Sequence, residues 1–246
     1  MTEAVLHGQL LRCEGRLSAP VPYVGRWLAP DEVGGVIALH HAIRQLVAPE
    51  LLCRETDAFF HEHCRACGRI LGLFANAELI GYGVLGLPKA DEESFADQFG
   101  LTAEQRAAVA TIDGSGILPR WRGNGLQRQL VAARIQAAGA AGRRIAVSTV
   151  APGNLPSLRN LLAEGLTIRA VRPAFGGLRF MMRRDLDWPP KPATEGRWIA
   201  LSDTSEAKAA LMAGYQGWSL SEAAARPRIW YAMVSGPVSG MDTTTT

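Results

Sequence analysis

Residues 117 to 139 read ILPRWRGNGLQRQLVAARIQAAG, with Gly123 and Gly125 between Arg122 and an alanine-rich run of helical period. A strand ending at Pro119, a loop through two glycines and a helix behind it stand in the order that anion binding requires. Absent Cβ atoms permit close backbone approach, and the unpaired N–H groups of the first helical turn face back into the loop. A pyrophosphate fits such a segment. The loop lacks the Gly-Lys-Ser/Thr ending of a nucleotide-hydrolysing loop, so it offers no lysine for a γ-phosphate and no hydroxyl for magnesium, and ATP chemistry is not expected.

Two other stretches carry residue types that could do chemistry. GYGVLG places Gly81, Gly83 and Gly86 at the spacing of a dinucleotide fingerprint. That fingerprint works only where a strand turns into a helix, whereas these glycines fall inside a hairpin strand and Pro88 interrupts any helix after it. HEHCRACG offers His61, His63, Cys64 and Cys67 as zinc ligands by type, but only the isolated Cys53, His40 and His41 could complete a site. Phe60, His63, Cys64 and Cys67 instead follow the spacing of a buried helix face, and no metal is expected.

The chain has 246 residues, 48% hydrophobic and 20% charged, which suits one main core with an appendage. No apolar run approaches the roughly 18 residues of a membrane span. The N-terminus lacks the residue order of a signal peptide, so a cytoplasmic protein with free thiols at Cys13, Cys53, Cys64 and Cys67 is expected. The net charge of +3 is small and the arginines are dispersed, leaving no nucleic-acid footprint.

Periodicity predicts helices over 31–47 and about 56–68, a β-hairpin over 69–87 and a polar helical excursion over 91–106. A strand over 107–119 and a long helix from Leu126 follow, then a strand over about 144–150 that must run parallel to the previous one, because the helix makes a crossover between them. A short helix over 155–164 ends at Gly165, and a last hairpin turns at Gly176 and Gly177. Residues 187–196 read as a proline-rich joint. Beyond it RWIALSD and RIWYAMV read as strands around one helix, with a disordered threonine tail and no internal repeat.

The chain resembles the GCN5-related N-acetyltransferase (GNAT) superfamily. Arg120-Trp121-Arg122-Gly123-Asn124-Gly125 matches its Q/R-x-x-G-x-G/A signature, and Asn154, Ser157 and Gly165 stand at the family's later spacing, with Leu166 in place of a phenylalanine. The resemblance covers about residues 20–185. It implies an α/β (α+β) fold, a GNAT-like mixed, splayed β-sheet flanked by helices, in a domain of residues 1–186 followed by a C-terminal β/α extension over 197–246. It also implies acetyl-coenzyme A (acetyl-CoA) or another acyl-CoA as cosubstrate. Backbone N–H groups of Arg122, Gly123, Asn124, Gly125, Leu126 and Gln127 would hold its pyrophosphate, and its arm would lie along Ile117 with Asn154 and Ser157 opposite. Gly114 and Gly116 suit the bulge that splays two neighbouring strands for that arm.

The implied chemistry is attack of a neutral amine on a thioester carbonyl, with an N–H near Ile117 or Leu118 stabilising the oxyanion. Relatives often place a tyrosine acid seven residues after the asparagine, where this chain has Leu161. Asp113, beside Thr111 and Ser115, is the candidate base; Tyr82 and Tyr215 are candidate acids. The expected acceptor is a small-molecule amine or amino-acid-like compound. Another donor such as an aminoacyl-tRNA, and a non-catalytic coenzyme-binding module, are the alternative readings. The extension could cover the acceptor site, pair two subunits as a homodimer or extend the sheet.

Overall fold

The computed structural model describes residues 4–48, 51, 55–92, 95–222 and 226–235; Cys53 and the threonine-rich tail lie outside them. Among the described residues eleven strands form one sheet, ordered β1-β2-β3-β4-β5-β6-β8-β7-β10-β11-β9. Strands β1 (Ala4–Cys13) and β2 (Arg16–Trp27) are a hairpin at one end. Helices α1 (Val33–Arg44) and α2 (Asp57–Arg65) lead into the hairpin β3 (Gly68–Ala75) and β4 (Glu78–Gly86), which turns at Asn76 and Ala77, both at positive φ. Then come α3 (Ala103–Ala107), β5 (Val109–Ile117), α4 (Leu126–Ala140), β6 (Ile145–Val150), α5 (Leu155–Ala163), β7 (Thr167–Ala174) and β8 (Gly177–Asp185). The extension adds β9 (Lys191–Ala200), α6 (Thr204–Met212), β10 (Gln216–Ser221) and β11 (Arg228–Ser235).

The helices form where period and caps coincide. Val33, Val36, Leu39, His40 and Ile43 make one buried stripe of α1, and Thr56 Oγ1 accepts the Phe59 N–H to cap α2. These two helices cover one sheet face over Ile70, Tyr82 and Val84, while α4 and α5 cover the other over Leu71, Leu73 and Leu85. The expected parallel crossover from β5 through α4 to β6 is present. Residues 91–106 form no continuous helix: Gly100, at φ +63, separates a 3-10 turn over Phe95–Phe99 from α3.

Strand β9 begins at Lys191, inside the stretch read as a joint, so only 187–190 connects the two parts. An edge strand tolerates Pro192 because its second side makes no ladder. A repeat is also present, against expectation. The units β6-α5-β7-β8 and β9-α6-β10-β11 have the same order, and their features recur 49 positions apart, as Asp203 follows Asn154. Asn154 caps the Ser157 N–H as Asp203 caps that of Glu206. Gly165 and Gly214 both end their helices at positive φ. Thr167 faces Arg183 as Gln216 faces Ala232, and the bulge between Ile168 and Ala170 recurs between Gly217 and Ser219. Val147 faces Arg183 as Gly196 faces Ala232.

The two units meet where β7 pairs antiparallel with β10, and there Ile168 faces Gly217, its own counterpart. Thr167 Oγ1 donates to Oε1 of its counterpart Gln216 at 3.1 Å. An antiparallel pairing of equivalent residues is the contact of a two-fold axis normal to the sheet. The extension therefore continues the sheet across an internal pseudo-two-fold.

Candidate active site

The glycine loop is tied both to its surroundings and within itself: the Arg122 N–H donates to the Pro119 carbonyl at 3.2 Å, so Arg122 offers no free backbone donor to a pyrophosphate. Gly123 and Gly125 sit at φ +85 and +72, where other residues are strained, and Gly125 heads α4 with no side-chain cap. The first-turn amides of α4 are thus left to an outside acceptor. Leu126 is buried and anchors that turn. The Asn124 side chain accepts from the Leu11 and Arg12 N–H groups at 2.8 and 3.0 Å and donates to the Arg12 and Trp121 carbonyls, tying the loop to β1. Its contribution to a ligand is therefore limited to the backbone. Arg122, an exposed residue, donates from Nε to the Ile117 carbonyl, and partial desolvation of its guanidinium pushes its pKa down.

Behind the loop the sheet opens. Strands β5 and β6 pair only from Val109 to Thr111 opposite Ile145 to Val147. Beyond Thr111 the register of β5 against β4 slips between Ile112 and Ser115, a bulge at Asp113-Gly114 where the glycine pattern called for one. The Leu118 N–H is engaged with the Ile80 carbonyl, so Leu118 is no oxyanion donor. Alternation along an antiparallel pair then turns the amides of Ile117 and Ser115 toward the opening. A cavity of about 250 Å3 occupies the splay, with Asp113, Ser115, Gln127, Asn154, Ser157 and Leu161 in its wall. Gln127 ties the walls together: Nε2 donates to Ser157 Oγ at 2.9 Å and Oε1 accepts from Asn160. The Asn154 amide is engaged with the Leu51 carbonyl and its Oδ1 with the α5 cap.

At the α2 end of the splay stands a pair that the sequence did not reveal. Asp113 Oδ2 accepts from Thr111 Oγ1 at 2.6 Å and lies 3.3 Å from His63 Nε2, with both side chains mostly buried. His63 Nδ1 is 2.8 Å from the Phe59 carbonyl, which can only accept, so Nδ1 carries a proton. When His63 is neutral, Nε2 must then turn a lone pair toward a carboxylate. Burial opposes charging His63, but the hydrogen bond and charge of Asp113, with the Phe59 carbonyl, outweigh it and raise the pKa above 6.5. With His63 unprotonated the pair carries one negative charge and lacks one proton between two acceptors, so it can accept a proton.

The glycines of GYGVLG make room for this site. A Cβ on Gly86 would lie 2.0 Å from Thr111 Oγ1, 2.7 Å from Asp113 Oδ2 and 3.2 Å from His63 Nε2. One on Gly83 would meet the Arg134 guanidinium at 2.9 Å, and one on Gly81 the Ile117 side chain at 2.5 Å. A second cavity, about 500 Å3, adjoins the pair; it shares Phe59 and Asp113 with the first and adds Glu62, Cys67 and Glu92. The Cys67 thiol is pushed up by burial and by the charges of Glu92, Glu62 and Asp113, which marks the chamber as electronegative.

Two sequence-predicted residues fall elsewhere. Tyr82 is buried under α1, its hydroxyl 2.6 Å from His40 Nδ1, and lines neither cavity. Its alternation in β4 turns it away from the splay. His40 beside it is held down to about 4, chiefly by burial and then by Arg44 and His41. Tyr215 precedes β10 and packs under Arg197, with three strands of the sheet between β10 and β5. Neither is placed to act as the acid. His63 belongs to no continued helix face, since α2 ends at Arg65 and Cys67 lies beyond it. Among the described residues no group of three or more His, Cys, Asp or Glu side chains could hold a metal ion, and no helix is long and apolar enough to cross a membrane.

A mixed sheet splayed after a bulge, with an uncapped helix start beside the opening, fits an acyltransferase architecture. Residues 38–162 match the Acetyltransferase (GNAT) family, half of the chain, and the chain belongs to that family. No curated protein matches it significantly. Solved structures show the same fold. A GNAT-family acetyltransferase from Streptococcus pneumoniae aligns with TM-score 0.52 and 15% identity over 67% of this chain and 99% of its own. The ribosomal-protein-S5-alanine acetyltransferase from Vibrio fischeri aligns with 0.51 and 15% over 69% and 96%. Arabidopsis thaliana NAA60 in complex with acetyl-CoA aligns with 0.50 and 16% over 68% and 99%.

Proposed function

We propose that this chain transfers acetyl from acetyl-CoA to a primary amine of a small, cationic acceptor. The observation that carries the reading is the Asp113–His63 pair at the junction of the two cavities. The uncapped α4 start and the positive-φ glycines form a cradle for a diphosphate, and the splay admits a narrow arm whose thioester would reach Asp113. The coenzyme supplies an activated acetyl carbonyl. The chain supplies the proton acceptor: Asp113 Oδ1 has no partner among the described residues and faces the incoming ammonium, whose proton passes through the carboxylate to His63 Nε2. An N–H of Ile117 or Ser115 stabilises the carbonyl oxygen. Glu62 and Glu92 line the larger chamber, which draws protonated amines toward the pair.

The test is thiol release from acetyl-CoA across an amine panel and a pH series. Diamines are expected to outperform neutral-tailed monoamines of equal length. Because the folded His63 binds its proton more tightly than a free imidazole, the unprotonated, proton-accepting pair is populated only above its raised pKa. The rate is therefore expected to rise with pH along a limb centred above 6.5. A flat profile, or a preference for acidic acceptors, contradicts the proposal.

A further inference from the structure

A thioester split inside the small cavity leaves a thiolate, and among the described residues its wall contains no tyrosine, lysine, cysteine or histidine to protonate that sulfur. Its larger polar side chains and Ser148 are engaged, which leaves the neutral hydroxyls of Ser115, Thr149 and Ser157. Ser148 Oγ donates to the Ile112 carbonyl at 2.7 Å, the Gln127 and Asn154 amides are tied as described, and Arg179 holds two carbonyls at the β7–β8 turn. Arg134 is different. It projects from α4 with 1% of its surface exposed and lines the same cavity as Leu161 and Asp113. Nε donates to the Leu130 carbonyl, and Nη1 donates to those of Val84 and Asp113 at 2.8 and 2.9 Å. Nη2 has no hydrogen-bond partner, and the guanidinium no ion pair, among the described residues. Burial lowers its pKa only to about 10, so the charge persists.

A buried cation with no carboxylate in direct contact is costly, even with the Asp113 charge near enough to favour it, and such groups concentrate where charge develops during a reaction. Gly83 leaves the room that the guanidinium fills, and the Asp113 carbonyl it holds is the one displaced by the bulge.

Resting on the acetyltransferase reading, we infer that Arg134 is a catalytic residue whose Nη2 receives the departing thiolate, so that the reaction needs no acid. As the amine nitrogen bonds the acetyl carbon, the carbon–sulfur bond breaks and its electron pair stays on sulfur beside the guanidinium. The incoming ammonium gives one proton to the Asp113–His63 pair before the attack, and the second proton that nitrogen loses as the amide forms passes to water. The thiolate takes a proton from water after release.

Acetyl-CoA and an acetyl thioester of an acidic aryl thiol separate this role from a structural one, because an acidic thiol leaves readily without help. In Arg134→Gln, kcat with acetyl-CoA is expected to fall roughly 100-fold, the cost of one charge-stabilising donor, and the aryl thioester by less than about 3-fold. Arg134→Lys should recover most of the loss. An equal fall with both thioesters overturns the inference. If Arg134→Gln does not melt cooperatively, the wild-type enzyme decides: its rates across thioesters of graded thiol acidity are expected to vary little, and a steep fall with rising thiol pKa overturns it. A wild type that cleaves neither thioester with any amine fails the acetyltransferase reading itself.

Discussion

Asp113→Asn is expected to lower acetyl transfer between about 100- and 10,000-fold, the range for loss of a positioned base, while acetyl-CoA binding persists. The substitution is nearly isosteric, so the Thr111 and Arg134 contacts at this residue can survive: one is made to a side-chain oxygen and the other to the backbone carbonyl. What disappears is the charge that raises the His63 pKa. His63 then titrates with burial as its main influence, which lowers its pKa. The surviving activity should therefore show its pH limb displaced downward. Full activity with an unmoved limb would remove both residues from the mechanism, and kcat against pH, with coenzyme affinity by calorimetry, reads both effects.

Gly86→Ala carries the second large effect. The added methyl would sit 2.0 Å from Thr111 Oγ1 and 2.7 Å from Asp113 Oδ2, inside contact distance of the proposed base and of the hydroxyl that holds it. Thr111 is buried and Asp113 is held from both sides, so relief requires movement of β4 against β5. Overpacking of this kind costs about 1–3 kcal/mol of stability, and a base displaced by about 1 Å loses on the order of 100-fold in rate. Gly139→Ala is the control. It lies in α4 with nothing within 4 Å of the new carbon, and replacing glycine there should stabilise by about 0.5–1 kcal/mol with activity unchanged. Denaturant melts and initial rates of both variants separate a local clash from a general intolerance of alanine.

The sequence carries the donor side of this site because that side is local. Gly123, Gly125 and the helix after them are contiguous, and Gly114 and Gly116 announced the bulge within the same strand. The proposed base is not local: His63 and Asp113 are 50 positions apart and meet where Gly68 and Gly86 face one another across the β3–β4 ladder beneath α2. Phe60, His63 and Cys64 do sit at helical spacing, so periodicity alone read the histidine as packing. Tyr82 shows the same limit in reverse, because alternation along β4 decides which face a tyrosine joins and the pattern of GYGVLG does not fix that face.

The fold was legible where apolar period and turn residues agreed, from α1 through β8. It was not legible at the termini. Pro20 and Pro22 obscured β2, although both lie in the part that pairs with β1 alone. In β10, QGWSLS is too short and mixed to announce a strand. The repeat escaped because its two copies share backbone requirements rather than side chains: a capping Asn or Asp, a left-handed glycine and one bulge. Leu158 and Leu161 under α5 correspond to Ala207 and Ala210 under α6, which erases the resemblance of the two cores. None of the residues lining either cavity lies beyond Arg179, so the extension bears on the sheet and not on the acceptor chamber.

The central claim is that the Gly123–Gly125 loop and the splay behind it hold acetyl-CoA, and calorimetric titration of acetyl-CoA into the wild type and Gly125→Val tests it most directly. The account predicts one site per chain in the wild type. In the variant, a β-branched residue at φ +72 adds about 1–3 kcal/mol of strain to the cradle, an affinity loss of about 5- to 150-fold. No binding by the wild type, or equal affinity in the two proteins, would contradict it.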